Sequence, residues 1–182
     1  MINQSVKEKL KDCMTELIDI KNKLANSSLH FNTVTKYLTN YSVIKACGSI
    51  EFSFKCLIAD FFGENQSEYV NNFLSIRIRD SSANPEMSAI HRLINSFDKD
   101  LNEKFKGKLK EEPNKERLIQ SLNSLRTERN SLAHGRSITI SLINVLNYFK
   151  DSKRIIEILD ESLHETNDLI NFRFLFPYDD ES

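Results

Sequence analysis

Tryptophan is missing from this 182-residue chain, and it has only four glycines, three prolines and three cysteines. So few turn-formers exclude a fold built from many short strands and tight turns, and with 40% hydrophobic residues the chain is not disordered. Cys13, Cys47 and Cys56 are odd in number, lack CxxC spacing and sit among apolar neighbours. That pattern excludes a disulfide framework and a cysteine zinc site, leaving buried reduced thiols as the expectation. No apolar run is long enough to span a bilayer, and the opening MINQSVKEKL has neither an apolar signal core nor a cleavage-like site. A soluble cytoplasmic domain with no membrane partner is expected. Length and composition suit one well-cored unit.

The net charge is −1, but it is unevenly spread. From residue 157 onward eight acidic residues face Arg173 alone, −7, so residues 1–156 carry +6. Such a body can sit against a polyanion. The stretch KFKGKLKEEPNKER (104–117) has six positive charges against three negative and is punctuated by Gly107 and Pro113, which reads as a solvated loop.

What fills the chain is helical periodicity. Val6, Leu10, Cys13, Leu17, Ile20 and Leu24 repeat in alternating steps of four and three, the seam of a helix packed lengthwise on its neighbours. The same steps give Val43, Cys47, Ile50, Phe54, Leu57 and Phe61, and later Leu142, Val145, Phe149, Ile156, Leu159 and Leu163, with Ser152 at the one polar seam position. Residues 64–80 and 84–105 read as shorter helices broken near Asp80–Pro85 and at Phe97–Asp98. The expected architecture is all-α: a bundle of four to five main helices with short connecting helices over residues 1–166, then an aromatic and acidic tail, 167–182, that folds back on the bundle or docks on a partner.

One seam contains an inconsistency. After Pro113, Leu118, Leu122, Leu125 and Leu132 keep the four-three spacing, and the position that completes it is Arg129. A buried guanidinium left unpaired costs several kcal/mol, so Arg129 must meet a carboxylate, reach solvent or face an anion. A carboxylate such as Glu51, beside the second helix's seam, would make it purely structural. Asn130 and His134 are four residues apart on one face, whereas Arg129 and His134 diverge by about 140° at roughly 3.6 residues per turn. One helix cannot aim both at the same atom. Gly135 is a natural helix stop. His30, His91 and His164 share no metal-ligand spacing, and no nucleophile elbow, Gly-rich phosphate loop or basic recognition helix is present. No metal or cofactor is therefore expected, and no sequence-specific binding to DNA.

RNSLAHG (129–135) resembles the signature of HEPN domains, in which an arginine and a polar residue precede a histidine near the end of a helix. The likeness extends to ACGSIEFSFKCLIADFF (46–62), which resembles the family's long early helix, and to RSITISLINVLNYFKDSKRIIEILD (136–160), which resembles its final one. LINSFDKDLNEKF (93–105) is similar to a segment of the RiboL-PSP-type branch. The resemblance covers roughly residues 40–165. It implies a HEPN-like fold and a metal-independent endoribonuclease working as a homodimer, as in toxin–antitoxin and phage-defence systems, with RNA as substrate and an antitoxin or other defence protein as a possible partner. Arg129, Asn130 and His134 would be its catalytic set, and Arg126 and Arg136 would hold flanking phosphates. A catalytically silent module of the same fold, binding a nucleotide or protein, is the alternative.

Overall fold

The computed structural model describes residues 3–25 and 33–175, with side chains up to Glu165. Seven α-helices follow in order: α1 Gln4–Ala25, α2 Thr33–Gly63, α3 Glu68–Leu74, α4 Met87–Asn95, α5 Lys99–Glu111, α6 Lys115–Ala133 and α7 Leu142–Leu175. A π-helical turn, Ser75–Arg79, extends α3. No strand occurs among the described residues.

The four-three seams are the core. On α1, Val6, Leu10, Cys13, Leu17 and Leu24 are buried, with Asn3 capping the helix by accepting the Ser5 N–H at 2.8 Å. On α2, Val43, Cys47, Ile50, Phe54 and Leu57 are buried in one core cluster with α7, whose Val145, Phe149, Ile156 and Leu159 are sealed from water. The polar seam position, Ser152, is also fully buried, and its hydroxyl donates to the Tyr148 carbonyl at 2.7 Å. A hydroxyl that can bond back to its own helix fits an apolar seam without an unsatisfied group. Ser42 and Ser53 on α2 do the same at 2.7 Å each.

The helix breaks fall where the sequence signals them. Asp98 caps α5 by accepting the Leu101 N–H at 3.0 Å. The irregular stretch 80–86 holds Pro85, whose ring disfavours helix in the residue before it. The basic stretch 104–117 differs from expectation. It is a loop only around Pro113, because α5 continues to Glu111 and α6 begins at Lys115. Leu101, Phe105 and Leu109, spaced by four, bury one face of α5, while Gly107 lies on its wet side. That apolar stripe outweighs a single exposed glycine, which costs a helix only about 1 kcal/mol.

The acidic C-terminal stretch is partly committed within the bundle. Glu165 pairs with Lys108 and, at 3.7 Å, with Lys104 on α5, and Glu161 pairs with Arg154 at 2.7 Å. The backbone of α7 runs on to Leu175, so residues 167–175 of the expected tail continue this helix, and the rest of that tail lies outside the described residues. Among the described residues no helix is long and apolar enough to cross a membrane.

Candidate active site

Leu118, Leu122 and Leu125 carry α6 into the core, and Leu132 is half-buried where the helix leaves it. Arg129 stands between Leu125 and Leu132, half-buried at the edge of the bundle. Its guanidinium does not meet Glu51. Glu51 accepts from the Ala83 N–H at 2.9 Å and from the buried Lys55 ammonium at 3.1 Å. Arg129 instead donates through Nη1 to the amide oxygens of Asn84, at 3.1 Å, and Asn130, at 3.4 Å. Among the described residues no carboxylate lies within ion-pair distance of it. Two neutral acceptors orient the fork but leave its charge uncompensated, as a group that is to meet an anion requires.

The reach of that charge is visible at Cys47. Burial pushes its thiol up to about 12, and the positive charge of Arg129 is the main influence in the opposite direction. Cys13 is likewise pushed up to about 11 by burial, and all three cysteines are free and buried. They are inert thiols of the core.

His134 ends α6. Its N–H bonds to the Asn130 carbonyl at 3.1 Å, that of Gly135 to Leu132 at 3.0 Å, and that of Arg136 to Ser131 at 2.8 Å. Gly135 takes φ +70°, so the last two bonds form a Schellman motif. The motif fixes the end of the helix and leaves His134 and Arg136 exposed. Neither side chain has a hydrogen-bond or ion-pair partner among the described residues. The side chain of Asn130 turns to Arg129, so it reaches His134 only through the backbone. Arg129 and His134 are not joined within one chain.

Arg126, one turn before Arg129, is already paired: Glu86 binds its Nη1 and also accepts from the Ser88 hydroxyl at 2.6 Å. The Ser88 hydroxyl, then Arg126, hold the Glu86 carboxyl below the usual carboxylate range. Arg126 therefore clamps the stretch 80–86 against α6 as well as adding charge to the site. Asn84 and Glu86 are site residues that the sequence reading missed, since NPE (84–86) signals only a chain break. Nothing in the spacing shows that this break crosses α6.

The remaining histidines are elsewhere. His91 shares a 2.7 Å hydrogen bond with the fully buried Asn102, and His164 bonds the Asp160 carbonyl at 2.9 Å. His30 lies outside the described residues. Among the described residues no three His, Cys, Asp or Glu side chains converge as a metal-binding group. A groove of about 550 Å³ lined by Asn123, Thr127, Glu128, Ile140 and Tyr148 runs along another flank of α6, and neither Arg129 nor His134 lines it.

No curated protein and no solved structure matches the chain. A family model, RiboL-PSP-HEPN, matches residues 8–165. The helical bundle and the RNSLAHG end of α6 fall inside that match, and the chain belongs to the RiboL-PSP-HEPN family, a HEPN-type domain.

Proposed function

We propose that this protein is a metal-independent endoribonuclease of a toxin–antitoxin or phage-defence system, built as a homodimer with a composite Arg129/His134 site. HEPN domains are often ribonucleases, and the observation that carries the reading is the state of Arg129. It breaks an apolar seam, it lacks a carboxylate, and it is held by Asn84 and Asn130 beside a helix end that presents His134.

RNA cleavage without a metal uses the substrate's own ribose. A base takes the proton of the 2′-hydroxyl, whose oxygen attacks the adjacent phosphorus. The bond to the 5′-oxygen breaks and an acid protonates that oxygen, leaving a 2′,3′-cyclic phosphate. Positive charge stabilises the phosphorane between these steps. One chain has one motif histidine, and its arginine points away from it. Two chains related by a two-fold axis supply two imidazoles, for base and acid, and two guanidinium forks for the phosphate. Asn130 orients Arg129, and Arg136 is open for a flanking phosphate. Arg126 can join it only on exchanging Glu86 for RNA.

The test is cleavage of a mixed RNA pool in EDTA by wild type, Arg129→Ala and His134→Ala, with folding matched by circular dichroism. Cyclic phosphate ends that vanish in both variants support the composite site. No cleavage by folded, dimeric wild type would favour a silent module that binds a nucleotide or protein partner.

A further inference from the structure

We infer that the groove between α1 and α7 binds a medium-chain fatty carboxylate, with its head on Lys7 and Lys11 and its alkyl chain over Met14 and Ile18. The inference goes beyond the nuclease reading and uses none of its residues.

The groove encloses about 550 Å³, and Lys7, Leu10, Lys11 and Met14 of α1 line it together with Lys153 and Glu157 of α7. Small-molecule sites are commonly of this size, mostly apolar, with a few polar groups that fix orientation. The lining follows from the pitch of α1. Its buried seam runs through Val6, Leu10, Cys13 and Leu17, and the residue after each, Lys7, Lys11, Met14 and Ile18, lies about 100° further around the helix. Those four make a second stripe in steps of four, three and four, beside the core and outside it. The stripe is charged at one end and apolar at the other. Lys7 and Lys11 are exposed, one turn apart, whereas Met14 is half-buried against the core and Ile18 is 41% exposed. From Lys7 to Ile18 it spans roughly 16 Å at about 1.5 Å per residue, which suits an extended alkyl chain of medium length. The methylene stems of the lysines continue the apolar surface up to the charged heads.

The two lysines select for an anion. Among the described residues neither ammonium meets a carboxylate. Glu8, between them in the chain, instead accepts from the Gln4 amide at 2.6 Å. Glu157, the carboxylate in the lining, is held by Lys153 at 3.0 Å. Three ammonium groups against that one carboxylate leave the lining at +2. Like charges four residues apart work against a helix, and a carboxylate seated between Lys7 and Lys11 relieves that repulsion while accepting a charge-assisted hydrogen bond from each. Carboxylates dominate the neighbouring hollows instead: Glu116 and Glu128 line the groove along α6, and Asp60, Glu64 and Asp160 line a smaller one beside Asn3. Such linings repel a fatty carboxylate.

The test is isothermal titration of the full chain with dodecanoate below its micellar concentration, comparing wild type with Lys7→Gln/Lys11→Gln and with Ile18→Ser. All three positions are exposed, so the variants are expected to fold as wild type does, which circular dichroism checks. Wild type is expected to take up one dodecanoate per chain, saturably. The lysine variant should bind at least 5-fold more weakly and Ile18→Ser about 3-fold more weakly. With wild type alone, octanoate should bind about 10-fold more weakly than dodecanoate, and dodecyltrimethylammonium, with the same tail and the opposite charge, should not bind. No saturable uptake, several molecules per chain, or affinity indifferent to the lysines or to chain length would overturn the inference. So would an acidic helical peptide or phosphatidylglycerol vesicles that bind through the same lysines while dodecanoate does not, since the face would then belong to a protein or a membrane. The titration contains no RNA, so its result and that of the cleavage assay stand or fall separately.

Discussion

Arg129→Leu separates a functional arginine from a structural one. The substitution completes the seam of Leu118, Leu122, Leu125 and Leu132 with the residue type that the spacing demands. Burying a whole leucine side chain contributes about 1.5–3 kcal/mol, so a half-buried position yields about 1 kcal/mol. Against it stand two hydrogen bonds, at 3.1 and 3.4 Å, to amides that can turn to water instead, together worth about 1 kcal/mol. No buried carboxylate is orphaned, because Glu51 is held by Lys55 and the Ala83 N–H. The stability of Arg129→Leu is therefore expected within about 1 kcal/mol of wild type, on either side. In urea, with a slope of roughly 1–3 kcal/mol per molar, the midpoint moves by less than about 1 M. The melts are run at one protein concentration, since dimerisation contributes to apparent stability. RNA cleavage should vanish in the same preparation. A loss above about 2 kcal/mol would show that Arg129 is a structural residue, and the reasoning from its missing carboxylate would fail.

Arg126→Leu should behave differently, costing about 1–3 kcal/mol in the same urea melts because it strips Glu86 of its cation; an unchanged midpoint would show that the clamp is idle. The Glu86 carboxyl is held below the usual carboxylate range, so its stabilisation is complete above the pKa of an ordinary glutamate and is lost as pH falls through the lower folded value. Glu86→Gln should accordingly be less stable than wild type at pH 7 and converge on it in acid, which melts from pH 7 to pH 3 would register. Cys13 and Cys47, with thiols pushed up to about 11 and 12, should resist an aromatic disulfide reagent at pH 8 until the chain unfolds; rapid labelling of the native protein would contradict their burial. Gly107→Ala, on the wet face of α5 with nothing near its Cβ, should stabilise the protein by about 0.5–1 kcal/mol, and no gain in thermal midpoint would count against a continuous α5.

Local periodicity was enough to establish the helices that form the core. Burial at Val6, Leu10, Cys13 and Leu17, at Val43 to Leu57 and at Val145 to Leu163 follows from seams in which every third or fourth residue must leave water, a constraint that acts within each helix. The same logic exposed Arg129 as the misplaced residue and Gly135 as the stop beyond it. It failed at 104–111, where charge and a glycine concealed the Leu101, Phe105 and Leu109 stripe. It also could not place Asn84 and Glu86 against α6. Those residues lie 45 and 40 positions from Arg129 and Arg126, too distant for any helical repeat to link them. The sequence by itself determined that the chain is a helical bundle with one arginine out of pattern. Only the tertiary structure decided what that arginine meets, because a partner is chosen by which chain segment crosses the helix, and the crossing is set by how whole helices pack.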